Sequence, residues 1–117
     1  MRRYISLLLI LSVGFCQKEY NYNDIVEMDN GLFTEKFSDE PITGLVYDYF
    51  GENNKKVYIG NLRNGKKDGK WTYWYESGKK KQVKTYKNGK FDGKLTYWYE
   101  GNGQKCWEET YKDGELD

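Results

Sequence analysis

Asp68-Gly69-Lys70-Trp71-Thr72-Tyr73-Trp74-Tyr75-Glu76 returns as Asp92-Gly93-Lys94-Leu95-Thr96-Tyr97-Trp98-Tyr99-Glu100, 24 residues later. Asn64-Gly65-Lys66 likewise returns as Asn88-Gly89-Lys90, and in altered form as Asp113-Gly114-Glu115. A fixed period of this size marks an architecture of stacked units, each covering its neighbour and none folding alone. Such a design points to a scaffold before it points to chemistry.

The repeated block reads as strand. Trp71 to Tyr75 is aromatic and β-branched, bounded by Asp68-Gly69 and Ser77-Gly78, and Lys81 to Tyr86 supplies the return strand up to Asn88-Gly89. Each unit is one hairpin followed by a reversal, giving an antiparallel meander. Asp68, Gly69, Asp92 and Gly93, like Gly44, Gly65, Gly89 and Gly114, are expected in turns. There Gly accepts positive φ and Asp bonds its local backbone. The same grammar runs backwards: Thr43 to Phe50 aligns with Asp68 to Tyr75 at a shift of 25, and Val57 to Leu62 is its return strand. Gly31 to Phe37 is expected as an opening strand, with Pro41 at a connection where its missing N–H costs no ladder bond. Residues 17–30 are polar, with Tyr20 and Tyr22 but without a period, and are expected to be partly loose.

Side-chain parity assigns faces. Trp71, Tyr73 and Tyr75 share a first face with Leu95, Tyr97, Tyr99, Val46 and Phe50. Thr72, Trp74, Thr96, Trp98, Tyr47 and Tyr49 share the second. Equivalent positions in successive units lie two strands apart, about 9.6 Å, beyond the roughly 7 Å reach of aromatic contact. The return strand must fill that gap with Val83, Thr85, Tyr86 and the stems of Lys80 and Lys84. A single-layer sheet held by such ladders needs no separate core, in keeping with a mean hydropathy of −0.97. The fold class expected is therefore all-β: an elongated single-layer antiparallel meander of 24-residue hairpins over residues 31–117.

Composition limits function. The first sixteen residues read as an export signal, with basic Arg2 and Arg3, an apolar run Ile5 to Val13, and small Gly14 and Cys16 before a cut at Gln17. Lipidation at Cys16 is the alternative, although Phe15 departs from the usual lipoprotein pattern of small residues before the cysteine. Either route takes the chain to the periplasm, the outer membrane or the exterior. Without Arg2 and Arg3 the chain carries 17 basic and 18 acidic residues, a net charge of −1, which argues against a nucleic-acid partner. There is no histidine, and after cleavage Cys106 has no second cysteine, so no catalytic residue, metal site or cofactor is expected.

The stretch Tyr86-Lys87-Asn88-Gly89-Lys90-Phe91-Asp92-Gly93-Lys94-Leu95-Thr96-Tyr97-Trp98-Tyr99 resembles the bacterial MORN-repeat variant, whose units read roughly Tyr-x-Asn-Gly-x-x-(Asp/Asn)-Gly-x-Trp-x-x-Tyr-Tyr. Glu40-Pro41-Ile42-Thr43-Gly44 is similar to an opening common in exported members. The departures are Leu95, where Trp is usual, and one extra residue in Gly101-Asn102-Gly103. The resemblance implies a twisted sheet that serves as an interaction platform without catalytic residues. An antitoxin-type role attached to some bacterial members would need a cytoplasmic toxin, which an exported chain does not meet. Two binding expectations follow. The second-face row Tyr47, Tyr49, Trp74 and Trp98 either docks an envelope or secreted protein, or stacks on a glycan or anionic lipid surface. Open sheet edges also allow self-association.

Overall fold

The computed structural model describes residues 18–117. The export-signal reading and Cys16 lie outside them. Among the described residues the chain is all-β apart from one 3-10 turn, Tyr22–Asp24. Its strands are β1 (Glu19–Asn21), β2 (Ile25–Glu27), β3 (Phe33–Glu35), β4 (Gly44–Phe50), β5 (Lys55–Arg63), β6 (Lys66–Trp74), β7 (Lys80–Lys87), β8 (Lys90–Trp98), β9 (Lys105–Lys112) and β10 (Glu115–Leu116). Eight of them form one sheet in the order β1-β4-β5-β6-β7-β8-β9-β10, a meander from β4 onward with β1 added in parallel at the β4 edge. Strands β2 and β3 form a separate antiparallel pair. The principal extents are 51 × 37 × 36 Å, longer in one direction than in the others.

Two-residue turns join the strands at one end of the sheet. Asn64-Gly65, Asn88-Gly89 and Asp113-Gly114 all have positive φ at both residues, 51° and 80°, 52° and 83°, and 50° and 87°. This is the mirror-image turn that suits the right-handed twist of a hairpin, and it explains why Asn or Asp precedes Gly each time. Each turn is also tied to the preceding unit. The Gly65 N–H donates to the Ile42 carbonyl (2.8 Å), Gly89 to Lys67 (3.0 Å) and Gly114 to Phe91 (2.8 Å). Ile42, Lys67 and Phe91 occupy the same place in their units, so the repeat is closed by bonds between units.

Other expected turns lie elsewhere. Asp68-Gly69 sits inside β6 and Asp92-Gly93 inside β8. The first marks a hand-over of pairing, since β6 ladders with β5 up to Asp68 and with β7 from Gly69; at the second β8 begins its β9 ladder at Gly93 while β7 pairs with it on both sides. A positive-φ glycine inside a strand bends it, and the signal that reads as a turn in sequence is here a kink. Gly44 opens β4, where a Cβ would lie 2.5 Å from the Lys18 carbonyl oxygen; close approach of β1, not a turn, requires it.

The single-layer expectation fails for the N-terminal half. Ile25, Ile42, Val46, Ile59, Leu62 and Trp71 form a buried cluster on the first face. The β2–β3 pair and the Pro41-Ile42 segment cover it. Thr34 bridges to Pro41, the Ile42 N–H donates to Phe33 O (3.1 Å), and the Phe33 N–H donates to Gly65 O (2.8 Å). Residues 18–30 are consequently not loose. They supply β1, whose Tyr20 packs on the cluster, and β2, whose Ile25 enters it. A polar composition with one well-placed isoleucine and one tyrosine suffices when the edge of β4 offers backbone partners.

Trp71 is the centre of this core and is fully buried. Its indole lies over Gly60, where a Cβ would fall 2.2 Å from the ring, and its Nε1 donates to the Asn61 carbonyl at 3.0 Å. The β5–β6 ladder extends only over Asn61↔Asp68, Leu62↔Lys67 and Arg63↔Lys66, so the ring occupies the opening beyond it.

Candidate functional site

The register fixes both faces in the C-terminal half. Across the first face run Trp71, Lys84, Leu95 and Glu109 in one row and Tyr73, Gln82, Tyr97 and Trp107 in the next. Aromatic contact does cross between strands there. Tyr97 stacks on Trp107 at 4.9 Å, and Tyr86, Phe91 and Tyr111 form a chain with successive centroids 5.1 Å apart. Lys84 reaches over Tyr73 (5.5 Å) and Phe91 (5.8 Å), filling the gap between units as its stem length suggests. Burial first, and then the Lys67 charge, lowers the Lys84 pKa. Burial pushes the Tyr73 phenol up to about 12 and raises Tyr86 as well.

Lys67 marks the border between the halves. Its ammonium lies over Phe33 (5.6 Å), Trp71 (5.1 Å), Tyr73 (5.8 Å) and Tyr86 (5.1 Å), and donates to the Tyr73 hydroxyl at 3.1 Å. On one side the β2–β3 pair covers the first face. On the other, among the described residues, no second layer lies over it, and Trp107 is 46 % exposed.

The second-face row does not form one surface. Tyr47 and Tyr49 meet edge to face at 5.8 Å, beside Lys56, which lies 4.3 Å from the Tyr47 centroid. Glu19 accepts from Lys56 (2.8 Å) and from the Tyr58 hydroxyl (2.7 Å), and these bonds, Lys56 first, hold its carboxyl below the usual range. Trp74 packs against the core cluster, with its Nε1 buried and unpartnered. Trp98 belongs to a separate groove, and none of the ring pairs joins it to Trp74 or to the tyrosines. The strand shifts at Val46/Tyr47, Tyr73/Trp74 and Tyr97/Trp98 fall at the row itself and divide it.

That groove, of about 450 Å³, is the feature sequence reasoning missed. Thr72, Val83 and Thr96 form its floor, with Lys70 and Lys94 at one end and Lys80 and Trp98 at the other. Its signal was present, since Lys70-x-Thr72 recurs as Lys94-x-Thr96 on one face. The turn residues Gly65, Gly89 and Gly114 hold the sheet in register, and Gly89 also borders a shallow hollow near Phe33. Cys106 is exposed. Among the described residues no group of three His, Cys, Asp or Glu side chains is placed to hold a metal ion, and no helix is long and apolar enough to cross a membrane. No family model, no curated protein and no solved structure matches this chain.

Proposed function

We propose that the protein is an exported, non-enzymatic scaffold of the MORN-repeat type that docks a partner protein on the first face of β7–β9. One observation carries this reading. The same face of the same repeated hairpin is covered in the N-terminal half by an apolar strand pair and carries no second layer among the described residues in the C-terminal half, where Trp107 of the Tyr97–Trp107 stack is exposed. Aromatic side chains presented on a rigid sheet are the usual anchors of protein interfaces, because they bury large area at little cost in side-chain entropy. The β2–β3 pair supplies the template for the occupant: a partner that lays aliphatic residues across the aromatic rows, as Ile25 and Ile42 do over Val46 and Leu62. The MORN-type unit and the export reading rest on the residues 64–100 repeat and on the basic-then-apolar start of the chain.

Site-specific photo-crosslinking in the native cell tests this. A photoreactive residue in place of Trp107 is expected to trap one defined protein, whereas the same residue in place of Val83, on the opposite face, is not. An empty result at 107, or the same adduct from both positions, overturns the reading. A trapped second copy of this chain would replace a heterologous partner by self-assembly and overturn it too.

A further inference from the structure

We propose that the groove on the second face binds an acidic polysaccharide in which charged sugars alternate with neutral ones. The arrangement of side chains carries the inference. Lys70 and Lys94 lie at one end, flanking Thr85, while Lys80 and Trp98 lie at the other. Between them the floor is Thr72, Val83 and Thr96, which has hydroxyl groups and no charge. Lys70 and the Trp74–Lys80 pair are four positions apart along β6, about 13 Å at the rise of an extended strand. A single small anion does not engage cations at both ends of such a floor. A chain with anionic groups separated by a neutral, hydroxyl-bearing unit does.

The charges are available. Neither Lys70 nor Lys80 has an ion-pair partner among the described residues. Lys94 is shared with Glu108 at 4.0 Å. Glu108 also pairs with Lys105 (3.1 Å) and accepts from the Thr96 hydroxyl (3.2 Å), and these bonds, Lys105 first, keep its carboxyl ionised to lower pH than usual. It closes the β9 side of the groove and leaves the β6–β7 side positive, so the ligand's acidic groups are expected at Lys70 and at Lys80, with the neutral unit over the floor between them.

A sugar fits better than an acidic peptide. β7, along the floor, is laddered to β6 and to β8, and it offers no edge for strand addition. A peptide laid there would leave its own backbone groups without partners. Sugar hydroxyls, by contrast, are met by threonine hydroxyls and ammonium groups, and the apolar face of a pyranose is met by the Trp98 ring. This site lies on the face opposite Trp107, so its failure and that of the partner-docking reading are separate results.

Calorimetric titration of the whole chain tests the inference. The probe is an oligosaccharide alternating glucuronate with N-acetylglucosamine. The comparators are oligogalacturonate, neutral dextran, inorganic phosphate and phosphatidylglycerol vesicles. The alternating oligosaccharide is expected to bind tightest, and more weakly as salt rises. The double variant K70Q/K80Q is expected to lose about tenfold in affinity, while K36Q/K87Q, which removes the same charge from exposed positions outside the groove, is expected to bind unchanged. Both groove lysines are exposed, so the variant retains the fold, which circular dichroism checks. Absence of binding to the alternating probe, equal losses in the two double variants, or tighter binding to oligogalacturonate, phosphate or vesicles overturns the proposal.

Discussion

Gly60 opposite Trp71 in the N-terminal half corresponds to Lys84 opposite Leu95 in the C-terminal half, 24 residues on in each strand. In the first pair a bare backbone accepts a large ring. In the second a long side chain lies beside a smaller one. The first pair sits under a second layer and the second under none. The two halves therefore obtain stability differently from nearly the same hairpin: the first by burying a core, the second by side-chain ladders along an open sheet. A repeat conserves a backbone and its turns, and leaves the means of stabilising it to the residues in between.

The largest test of this contrast is truncation at the equivalent positions. Trp71→Ala is expected to cost about 3–5 kcal/mol, and Leu95→Ala, buried by its neighbours in the sheet but under no second layer, about 2 kcal/mol. Urea unfolding midpoints measure both, and equal losses would show that the covering layer adds nothing. Next in size is Gly60→Lys. Its Cβ would fall 2.2 Å from the Trp71 ring, and a cost of about 2–3 kcal/mol is expected. Combining it with Trp71→Leu, which rebuilds the Lys84–Leu95 pair, is expected to cost less than the sum of the two single changes by about 1 kcal/mol or more. Strict additivity would break the equivalence of the two pairs.

A smaller change of opposite sign is expected in the covering layer. Thr34 is fully buried and its hydroxyl has no partner, so Thr34→Val should stabilise the chain by about 1 kcal/mol. Loss of stability instead would mean that the hydroxyl is satisfied in solution. The last test is a titration. Tyr73, raised to about 12 by burial, stays neutral in the folded chain when an unfolded tyrosine, near 10, has ionised. Its contribution is thus complete below the unfolded value and is lost as pH rises through the window between about 10 and about 12. Tyrosinate absorbance should show a late-titrating component that Tyr73→Phe removes, and a titration unchanged by that substitution would contradict the burial at the border of the halves.

Much of this fold is legible in the 24-residue repeat. The paired turns, the strand limits to within a few residues and the two faces follow from Asn-Gly spacing and parity. What is not legible depends on contacts between distant segments. Ile25 and Ile42 enter the core only because the β2–β3 pair folds back over β4 and β5, and nothing periodic in residues 18–43 announces that. Asp68-Gly69 and Asp92-Gly93 carry a turn signature, yet the chain continues as strand: β6 passes there from β5 to β7, and β8 keeps β7 on both sides while its β9 ladder begins. The Tyr47, Tyr49, Trp74 and Trp98 row is divided because at each shift the partner strand carries one extra residue, Ile59, Lys81 or Cys106, which spacing within the aromatic strands does not announce. The Tyr97–Trp107 stack depends on a register across the loop with the extra residue, which spacing alone does not set.

The bonds from Gly65 to Ile42, from Gly89 to Lys67 and from Gly114 to Phe91 are made between consecutive units. They work as the teeth of a ruler. Each added unit brings the acceptor that the next turn needs and two strands of width, about 9.6 Å. Duplicating or deleting a whole 24-residue unit therefore changes the span of the sheet in fixed steps while keeping both ends intact, whereas an insertion of any other length must be absorbed in the opposite loops, as Gly101-Asn102-Gly103 already does.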